Sequence, residues 1–458
     1  MIKEPSSYRD PSGYIFTDNG KLYRQVNQSF RAEFDHLMNS GCYAEMVANK
    51  QLVPHTIIDK NLTGEDQWYT TLLPQYLPFI SYAWEWSFNM LKDAALLTLD
   101  IHQAALKHGL SLKDATTFNI QFLEGRPVFI DSLSFEFYNE KKPWIAYRQF
   151  CEQFLAPLLL MHYSKQPLQQ LQLAYPEGIP LEIASSLLPR RSRFSLHTYL
   201  HIHLNARVRN KQAVDKDRSV SFSRKKMEDM IRSLRLLVSG LTLKGTDTNW
   251  SAYYEEASQR NNYLPDKKRI LGEWIARIAP QINNASDLGA NDGEFSRLFS
   301  ENGIDCLAAD LDPNCIDRLY LRNRRENRKL LHPLIMDLSI PSPATGVNNE
   351  ERSSFMARGK RDAVLALALI HHLAIGKNIP LDKIARFFAE LSRKWLIIEF
   401  VPKQDEKVQF MLKQKADIYS NYEQGSFEQA FDPYFSIVEK CPVKDSERTL
   451  YLLARKNA

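Results

Sequence analysis

The sequence has few cysteines and none in a metal-binding spacing. Cys42, Cys151, Cys306, Cys315 and Cys441 are the five cysteines of the 458 residues, and no two of them form a C-x-x-C pair. An odd number without paired spacing fits reduced thiols better than a disulfide framework or a zinc site. We therefore expect a cytoplasmic protein that contains no structural metal.

Targeting and membrane-spanning segments are missing as well. No run of 18 apolar residues occurs, and the N-terminus MIKEPSSYRDPSGY lacks the basic start and apolar stretch of a signal peptide. The net charge of +5 is small for this length, and no repeat or low-complexity tract is visible. We expect a soluble protein that contacts no membrane and has little reason to bind nucleic acid.

The chain is too long for one hydrophobic core, so two domains are expected. Apolar residues make up 44% and charged residues 25%, as in ordinary globular proteins. Between Asn205 and Met230 apolar residues thin out and basic ones gather, which indicates a connector rather than the alternative, a phosphate-binding patch. This divides the chain into an α+β domain over 1–205, a basic linker and helix over 206–249, and a second domain over 250–458.

The second domain alternates short apolar strands with helices, which is typical of an α/β fold with a parallel sheet. We predict a first helix over Glu294–Asn302 and an antiparallel pair that closes the sheet. The predicted strands are Ser286–Leu288, Asp305–Ala309, Leu334–Met336, Ala363–Ile370, Trp395–Phe400, Phe435–Val438 and Leu450–Leu453.

A glycine turn follows the first of these strands. Asp287, Gly289, Asn291 and Gly293 stand where the strand gives way to a helix, so the backbone can approach a ligand there. The turn lacks the three glycines of the dinucleotide fingerprint, and its acidic start suits a cationic ligand. It resembles the first motif of class I methyltransferases, with Asn291 at the middle glycine position. The resemblance implies a Rossmann-like fold and S-adenosylmethionine as cofactor, with Asp287 at its methionine end.

Two more acidic residues end the next two strands. The resemblance implies that Asp310 holds the ribose hydroxyls, with Asp312 as the alternative, and that Asp337 contacts the adenine amino group. Each aspartate alone could simply cap a helix or turn. Three of them at successive strand ends, beside a glycine turn, favour a cofactor site.

The fourth strand ends in His371 and His372, which should face the methyl donor. Either imidazole could deprotonate an acceptor, or could merely shape the site. Glu399 and Phe400 are further candidates for the acceptor pocket, although Glu399 could equally form a salt bridge. No Asn-Pro-Pro-Tyr or Asp-Pro-Pro-Tyr motif follows the strand, so the acceptor stays open, and we expect a small molecule or a glycan.

The first domain contains a different constellation. Asp114, Asn119 and Asp131 resemble, in spacing, the catalytic segment of the protein-kinase-like fold. The resemblance implies hydroxyl orientation by Asp114, magnesium coordination by the other two, and Mg·ATP as a ligand. No His-Arg precedes Asp114, no Asp-Phe-Gly occurs, and no glycine-rich phosphate loop lies upstream.

The remaining parts of such a site are poorly defined. The expected strand lysine could only be Lys21 or Arg24, with Glu33 or Glu45 as its partner. An inactive kinase-like scaffold, a domain that binds the acceptor or a partner, and an active phosphotransferase therefore all stay open.

Three histidines of the first domain and three short motifs of the second domain are further features of the sequence. His197, His201 and His203 lie close together, but without a third clear ligand we expect them to be structural. The segments IPSP (340–343), LALIHHL (367–373) and IEFVP (398–402) resemble a bacterial group of methyltransferases related to nodulation proteins. That resemblance spans both domains and carries no acceptor.

Overall fold

The computed structural model describes residues 1–208, 222–243, 262–413 and 416–456. The chain divides into two compact units. Unit 1 comprises Met1–Gly245 and Gly346–Arg352, and unit 2 comprises Thr246–Thr345 and Ser353–Ala458. The predicted domain start at 250 and the basic residues Arg209, Lys211, Lys216 and Arg218 lie outside the described residues.

Unit 1 is α+β, as the sequence indicates. A five-stranded antiparallel sheet has the order β1-β2-β3-β5-β4, and two short ladders pair β6 with β9 and β7 with β8. The strands are β1 (Ile2–Lys3), β2 (Gly13–Asp18), β3 (Lys21–Asn27), β4 (His55–Ile58), β5 (Trp68–Pro74), β6 (Leu110–Leu112), β7 (Ile120–Leu123), β8 (Arg126–Phe129) and β9 (Phe135–Phe137).

The longest helix of the described part of unit 1, α3, is largely buried and packs against α2, α5 and α10. Ser87 caps its start by accepting the Met90 N–H, and Gly109, with φ +76°, follows its end. The helices are α1 (Arg31–Asn39), α2 (Cys42–Ala48), α3 (Phe88–Lys107), α4 (Tyr147–Phe150), α5 (Ala156–Ser164), α6 (Leu171–Ala174), α7 (Leu181–Leu187), α8 (Leu196–Thr198), α9 (Asn205–Val208) and α10 (Arg224–Gly240). No helix of the described residues combines the length and apolar content needed to cross a bilayer.

Unit 2 is a seven-stranded sheet with the order β12-β11-β10-β13-β14-β16-β15. The pairs from β12 to β14 are parallel, and β16 runs antiparallel to both β14 and β15, so the predicted parallel sheet with an antiparallel end pair is confirmed. The strands are β10 (Asn284–Leu288), β11 (Asp305–Asp310), β12 (Leu331–Ile335), β13 (Arg361–Ala366), β14 (Ser392–Phe400), β15 (Phe435–Pro442) and β16 (Thr449–Arg455).

Helices cover this sheet because the strands of a parallel sheet are buried on both faces. Every residue of β12 and β13 is buried, and Trp274 and Ile275 of the first helix pack in the main core with Ile397 and Leu452. The helices are α11 (Tyr263–Ile278), α12 (Ser296–Glu301), α13 (Pro313–Glu326), α14 (Phe355–Arg358), α15 (Leu381–Leu391), α16 (Glu406–Leu412) and α17 (Gln424–Phe431).

Three predicted boundaries were wrong. The fourth strand ends at Ala366 rather than Ile370, because Ala368 adopts a left-handed φ of +47° and turns the chain although the apolar run continues. The third strand begins at Leu331, where it pairs with Cys306. Helix α12 is shorter than predicted, because the preceding turn extends to Phe295.

Candidate functional site

A cleft opens at the carboxyl ends of the parallel strands of unit 2. Parallel strands end at one edge of a sheet, and ligands of open α/β folds bind there. Of the residues predicted for a cofactor or acceptor, those in the wall of the cleft are Asp287, Gly289, Asn291, Asp310, Asp337 and His372. Gly293, His371, Glu399 and Phe400 are not part of the wall.

The glycine turn between β10 and α12 is held against β11. The N–H groups of Gly289 and Ala290 donate to the carbonyl of Ala309 at 2.8 and 3.0 Å. Asn291 has a φ of +50°, a left-handed conformation that asparagine tolerates better than most residues. This explains why asparagine can stand at the middle glycine position. Gly293, with φ +80°, packs so tightly that an added Cβ would lie 2.6 Å from a methyl group of Leu319.

Asp310 is the strand-end carboxylate in the cleft, and Asp312 is not. The two carboxylate oxygens of Asp310 accept the N–H groups of Asn291 at 2.7 Å and Asp312 at 2.8 Å. Burial raises the pKa of Asp310 to about 6, against the opposing effect of these hydrogen bonds. Asp312 instead caps α13 by accepting the Asn314 N–H at 2.8 Å. Its carboxylate has the ordinary helix-capping role that the sequence left open.

Asp287 ends β10 and is almost completely buried. Its Oδ2 accepts the hydroxyl of Ser296 at 2.6 Å. Burial, and to a lesser extent the charge of Asp310, raises the pKa of Asp287 to about 7. Two neighbouring carboxylates that are costly to ionise favour a cationic ligand, which would stabilise their charged forms.

Asp337 lies two residues beyond β12, on the far side of Asp310 from Asp287 along the sheet. Its Oδ1 accepts both the N–H of Ser339 at 2.8 Å and the hydroxyl of Ser339 at 2.6 Å. Its Oδ2 lies 3.9 Å from Nζ of Lys377, which also lines the cleft. The three acidic residues therefore line the cleft in the order of their strands.

The two histidines have different positions. His371 is 1% exposed and outside the cleft wall, whereas His372 lines the cleft, and the two ring centroids are 4.0 Å apart. Burial lowers the pKa of His371, and burial together with the charge of Arg448 lowers that of His372 to about 4. At neutral pH both imidazoles are uncharged, and His372 alone of the two can reach a ligand in the cleft.

A buried ionic cluster borders the cleft. Of its charged residues, the sequence analysis identified Glu399 and did not identify Lys267, Arg448 or Asp405. Nζ of Lys267 donates to Oε2 of Glu399 at 2.7 Å and to the hydroxyl of Tyr263 at 3.2 Å. Arg448 donates to Tyr263 at 2.9 Å and holds Asp405 with its Nε and Nη2 at 2.8 and 3.2 Å. Two cations and two anions thus neutralise one another. Although burial acts in the opposite direction, Lys267 and Arg448 hold the pKa of Glu399 below its ordinary value.

Glu399 therefore forms the salt bridge that the sequence left open, and it also shapes the cleft from behind. The N–H of Ala368, a residue of the wall, donates to Oε2 of Glu399 at 2.7 Å. This contact fixes the turn after β13. The neighbouring Phe400 points into an aromatic cluster with Tyr422 and Phe427, so it is a core residue.

In unit 1 the structure places Asp114, Asn119 and Asp131 near one another, but Asn119 and Asp131 are already hydrogen-bonded or paired within the protein. Asn119 donates to the hydroxyl of Ser134 at 3.0 Å, and that hydroxyl donates to Oδ2 of Asp131 at 2.7 Å. Arg24 pairs with Oδ1 of Asp131 at 2.6 Å. Although burial acts in the opposite direction, Arg24 and the hydrogen bond from Ser134 hold the pKa of Asp131 below its ordinary value. The pKa of Asp114 is raised, mainly by burial and next by the negative charge of Asp131.

Of the upstream candidates, Arg24 is the one that reaches this constellation. Glu45 is occupied elsewhere, with Lys107 at 3.2 Å and His108 at 2.9 Å. Direct pairing of an arginine with Asp131 differs from the lysine–glutamate pair expected of a kinase. The kinase-like relationship therefore stays a prediction.

The three histidines of unit 1 have hydroxyl partners. His197 and His201 both contact Ser233, at 2.7 and 2.8 Å, and His201 and His203 each have hydrogen-bond partners on both ring nitrogens. The partners are the hydroxyls of Tyr147, Ser185, Ser192 and Ser233. Among the described residues, no group of three or more histidine, cysteine or acidic side chains could hold a metal ion.

Asp287→Asn should stabilise the ligand-free protein at pH 8. The folded-state pKa of Asp287 is raised to about 7, so ionisation above that pH opposes folding, whereas asparagine has no charge to bury. We expect a gain of about 2–4 kcal/mol at pH 8 that shrinks as the pH falls, since below about 4 the aspartate is protonated in both states. Urea unfolding at several pH values measures this, and a variant less stable than the wild type at pH 8 would contradict it.

Gly293→Ala should destabilise unit 2 more than Gly303→Ala does. Both glycines have a left-handed φ, +80° and +75°, but a Cβ at 293 meets Leu319 at 2.6 Å while a Cβ at 303 meets open space. Both variants therefore have the same cost of a left-handed alanine, and the clash with Leu319 should lower the free energy of unfolding of Gly293→Ala by about 1–3 kcal/mol more. Thermal unfolding of both variants tests this, and equal losses would show that the close approach has no energetic weight.

The strand order of unit 2 places the cleft at the carboxyl ends of its parallel strands. Among solved structures, the chain is similar to magnesium protoporphyrin IX methyltransferase from Synechocystis PCC 6803 with bound SAH, at 13% identity and a TM-score of 0.30, over 46% of this chain and 90% of that one. It is also similar to WbdD, at 14% identity and a TM-score of 0.31, over 48% of this chain and 46% of that one.

A scan of family models finds no match. Sequence comparison finds the nodulation protein NoeA of Rhizobium meliloti (strain 1021), which is 34% identical over 462 residues that cover 98% of this chain and 95% of that protein. This similarity extends over both units, and it confirms the relationship to nodulation proteins expected from the short motifs. The chain belongs to the family of the nodulation protein NoeA.

Proposed function

We propose that the protein is an S-adenosylmethionine-dependent methyltransferase whose cofactor site is the cleft of unit 2. The observation that carries the proposal is the set of three strand-end carboxylates, Asp287, Asp310 and Asp337, around one cleft beside a left-handed glycine turn. When bound, S-adenosylmethionine supplies a methyl group on a sulfonium sulfur. The ligand has two cationic centres and a ribose diol, which suit these acceptors.

The contacts of each carboxylate support a division of roles. Each Asp310 oxygen accepts one backbone N–H and keeps lone-pair capacity for a ribose hydroxyl. Burial, and to a lesser extent the charge of Asp310, raises the pKa of Asp287. A positive charge beside Asp287 would stabilise its carboxylate, so this residue favours the cationic methionine end. Asp337, beyond Asp310, is then left for the adenine amino group.

On the acceptor side, His372 is the candidate base. It is uncharged at neutral pH and lies in the cleft wall with Leu369 and Leu373. A neutral imidazole can take the proton of a hydroxyl as it becomes a nucleophile, although a pKa near 4 makes it a weak base in the ligand-free state. Alignment of the acceptor then supplies most of the remaining rate. We propose a small-molecule or glycan acceptor.

The N-terminal α+β domain, residues 1–205, would recognise the acceptor or a partner and be joined through residues 206–249 to the catalytic domain, 250–458. This division is supported by the cleft, because every residue of its wall belongs to unit 2. The described residues that line this cleft thus all belong to the second domain, which leaves the first domain available for recognition.

Phosphotransfer by the N-terminal domain is a second candidate, favoured by one observation. Asp131 and Asn119 share Ser134 as a partner, and the charge of Asp131 raises the pKa of Asp114, so the three predicted residues lie together. The pairing of Arg24 with Asp131 opposes it, since that oxygen would have to be released for magnesium.

The cofactor proposal is tested by calorimetric titration with S-adenosylmethionine. We expect micromolar affinity in the wild type and a loss of about 100-fold or more in Asp310→Ala, because two hydrogen bonds to a charged acceptor disappear. Asp312→Ala is the matched control: it removes the carboxylate that caps α13 but keeps the backbone N–H that Asp310 accepts, so the affinity should change less than about threefold. No binding by the folded wild-type protein would refute the proposal.

Titration with Mg·ATP tests the second candidate separately. Phosphotransfer requires binding that Asp131→Ala abolishes and that Asp59→Ala, an exposed aspartate on the same unit, leaves intact. We expect no such binding while Arg24 holds Asp131. Binding sensitive to Asp131 would instead assign the unit an ATP site.

A further inference from the structure

Lys267 is an unusual residue on the buried face of α11. Its neighbours on that face are Tyr263, Ile270, Leu271 and Trp274, and the lysine itself is 1% exposed. Lysine is among the residues least often buried completely, and it requires ionic partners when it is. Its position therefore calls for an explanation beyond helix packing.

The ammonium group of Lys267 is only partly satisfied by the protein. It has three N–H donors. Two donate to Oε2 of Glu399 at 2.7 Å and to the hydroxyl of Tyr263 at 3.2 Å, and the described residues provide no further acceptor. The residue also lines the cleft, with Nζ 5.2 Å from the ring centroid of Phe295, another residue of the wall. One donor thus remains for a ligand in the cleft.

The position along the cleft identifies which ligand group this donor would meet. Burial raises the pKa of Asp287, and the positive charge of Lys267 opposes this rise, so the two groups are near one another. Asp310 and Asp337 follow on the other side of Asp287, at the ends of β11 and β12. Lys267 is therefore at the end of the cleft assigned to the methionine portion. The anionic group of that portion is its α-carboxylate.

We propose that Lys267 binds the α-carboxylate of the methionine portion of S-adenosylmethionine, with Glu399 as the residue that positions it. The inference rests on the proposed cofactor. Glu399 pairs with the buried lysine at 2.7 Å, and Arg448 with Asp405 balances the remaining charge. Through the N–H of Ala368, the same carboxylate also holds the wall after β13.

The test compares two ligands that differ only in this carboxylate. Decarboxylated S-adenosylmethionine keeps the sulfonium, the amino group and the adenosine. The wild type should bind it about ten- to hundredfold more weakly than S-adenosylmethionine, the range expected for one hydrogen bond between charged groups. Calorimetry with both ligands measures the ratio without an acceptor or an activity assay.

A charge-balanced double variant assigns the effect to Lys267. Lys267→Met alone would leave Glu399 buried without its main partner, so it is combined with Glu399→Gln, whose side-chain oxygen can still accept the Ala368 N–H. In the double variant both ligands should bind with dissociation constants within about threefold of each other, since the discriminating hydrogen bond is gone. Lys268→Met, an exposed lysine on the same helix, should retain the wild-type ratio.

The outcomes separate this inference from the proposed function. A wild type that binds neither ligand refutes the cofactor itself. A wild type that binds both ligands equally well keeps the cofactor and overturns the role of Lys267, and this comparison needs no variant. Discrimination that persists in the double variant overturns it too.

Discussion

The carboxylate of Glu399, on β14, links three other parts of unit 2. It accepts hydrogen bonds from Lys267 and Tyr263 of α11 and from the turn after β13, while Arg448, just before β16, lies 3.9 Å away. An isolated carboxylate buried to this degree would cost several kcal/mol, so each partner is needed for the fold as much as for the cleft. This requirement fixes the shape of the cleft, because α11, the turn after β13 and the start of β16 must all meet at Glu399.

The parts of the site near the strand ends could be predicted from the sequence for a physical reason. Parallel strands place their carboxyl ends on one edge, so the alternation of strands and helices was sufficient to bring Asp287, Asp310 and Asp337 to one cleft. Asn291 could be accepted at a glycine position because asparagine tolerates the left-handed φ of +50° found there.

The remainder depends on contacts between residues far apart in the sequence. Lys267 and Glu399 are 132 positions apart, and a lysine in an amphipathic helix ordinarily indicates a solvent-exposed position. The turn at Ala368 lies inside a continuous apolar run and is stabilised by a residue 31 positions later, so local periodicity extended the strand too far. In unit 1, spacing alone predicted that Asp114, Asn119 and Asp131 would lie close together, but not that Arg24 would engage Asp131.

The raised pKa values of Asp287, about 7, and Asp310, about 6, have a consequence for occupancy of the cleft. A carboxylate with such a pKa is itself a proton-binding site in the neutral range, so protons and cationic ligands are competitors there. Entry of a cation must release protons to the solution, and acidification by a single pH unit shifts the competition toward the proton. The affinity of this cleft for a cation is thereby coupled to the acidity of its surroundings.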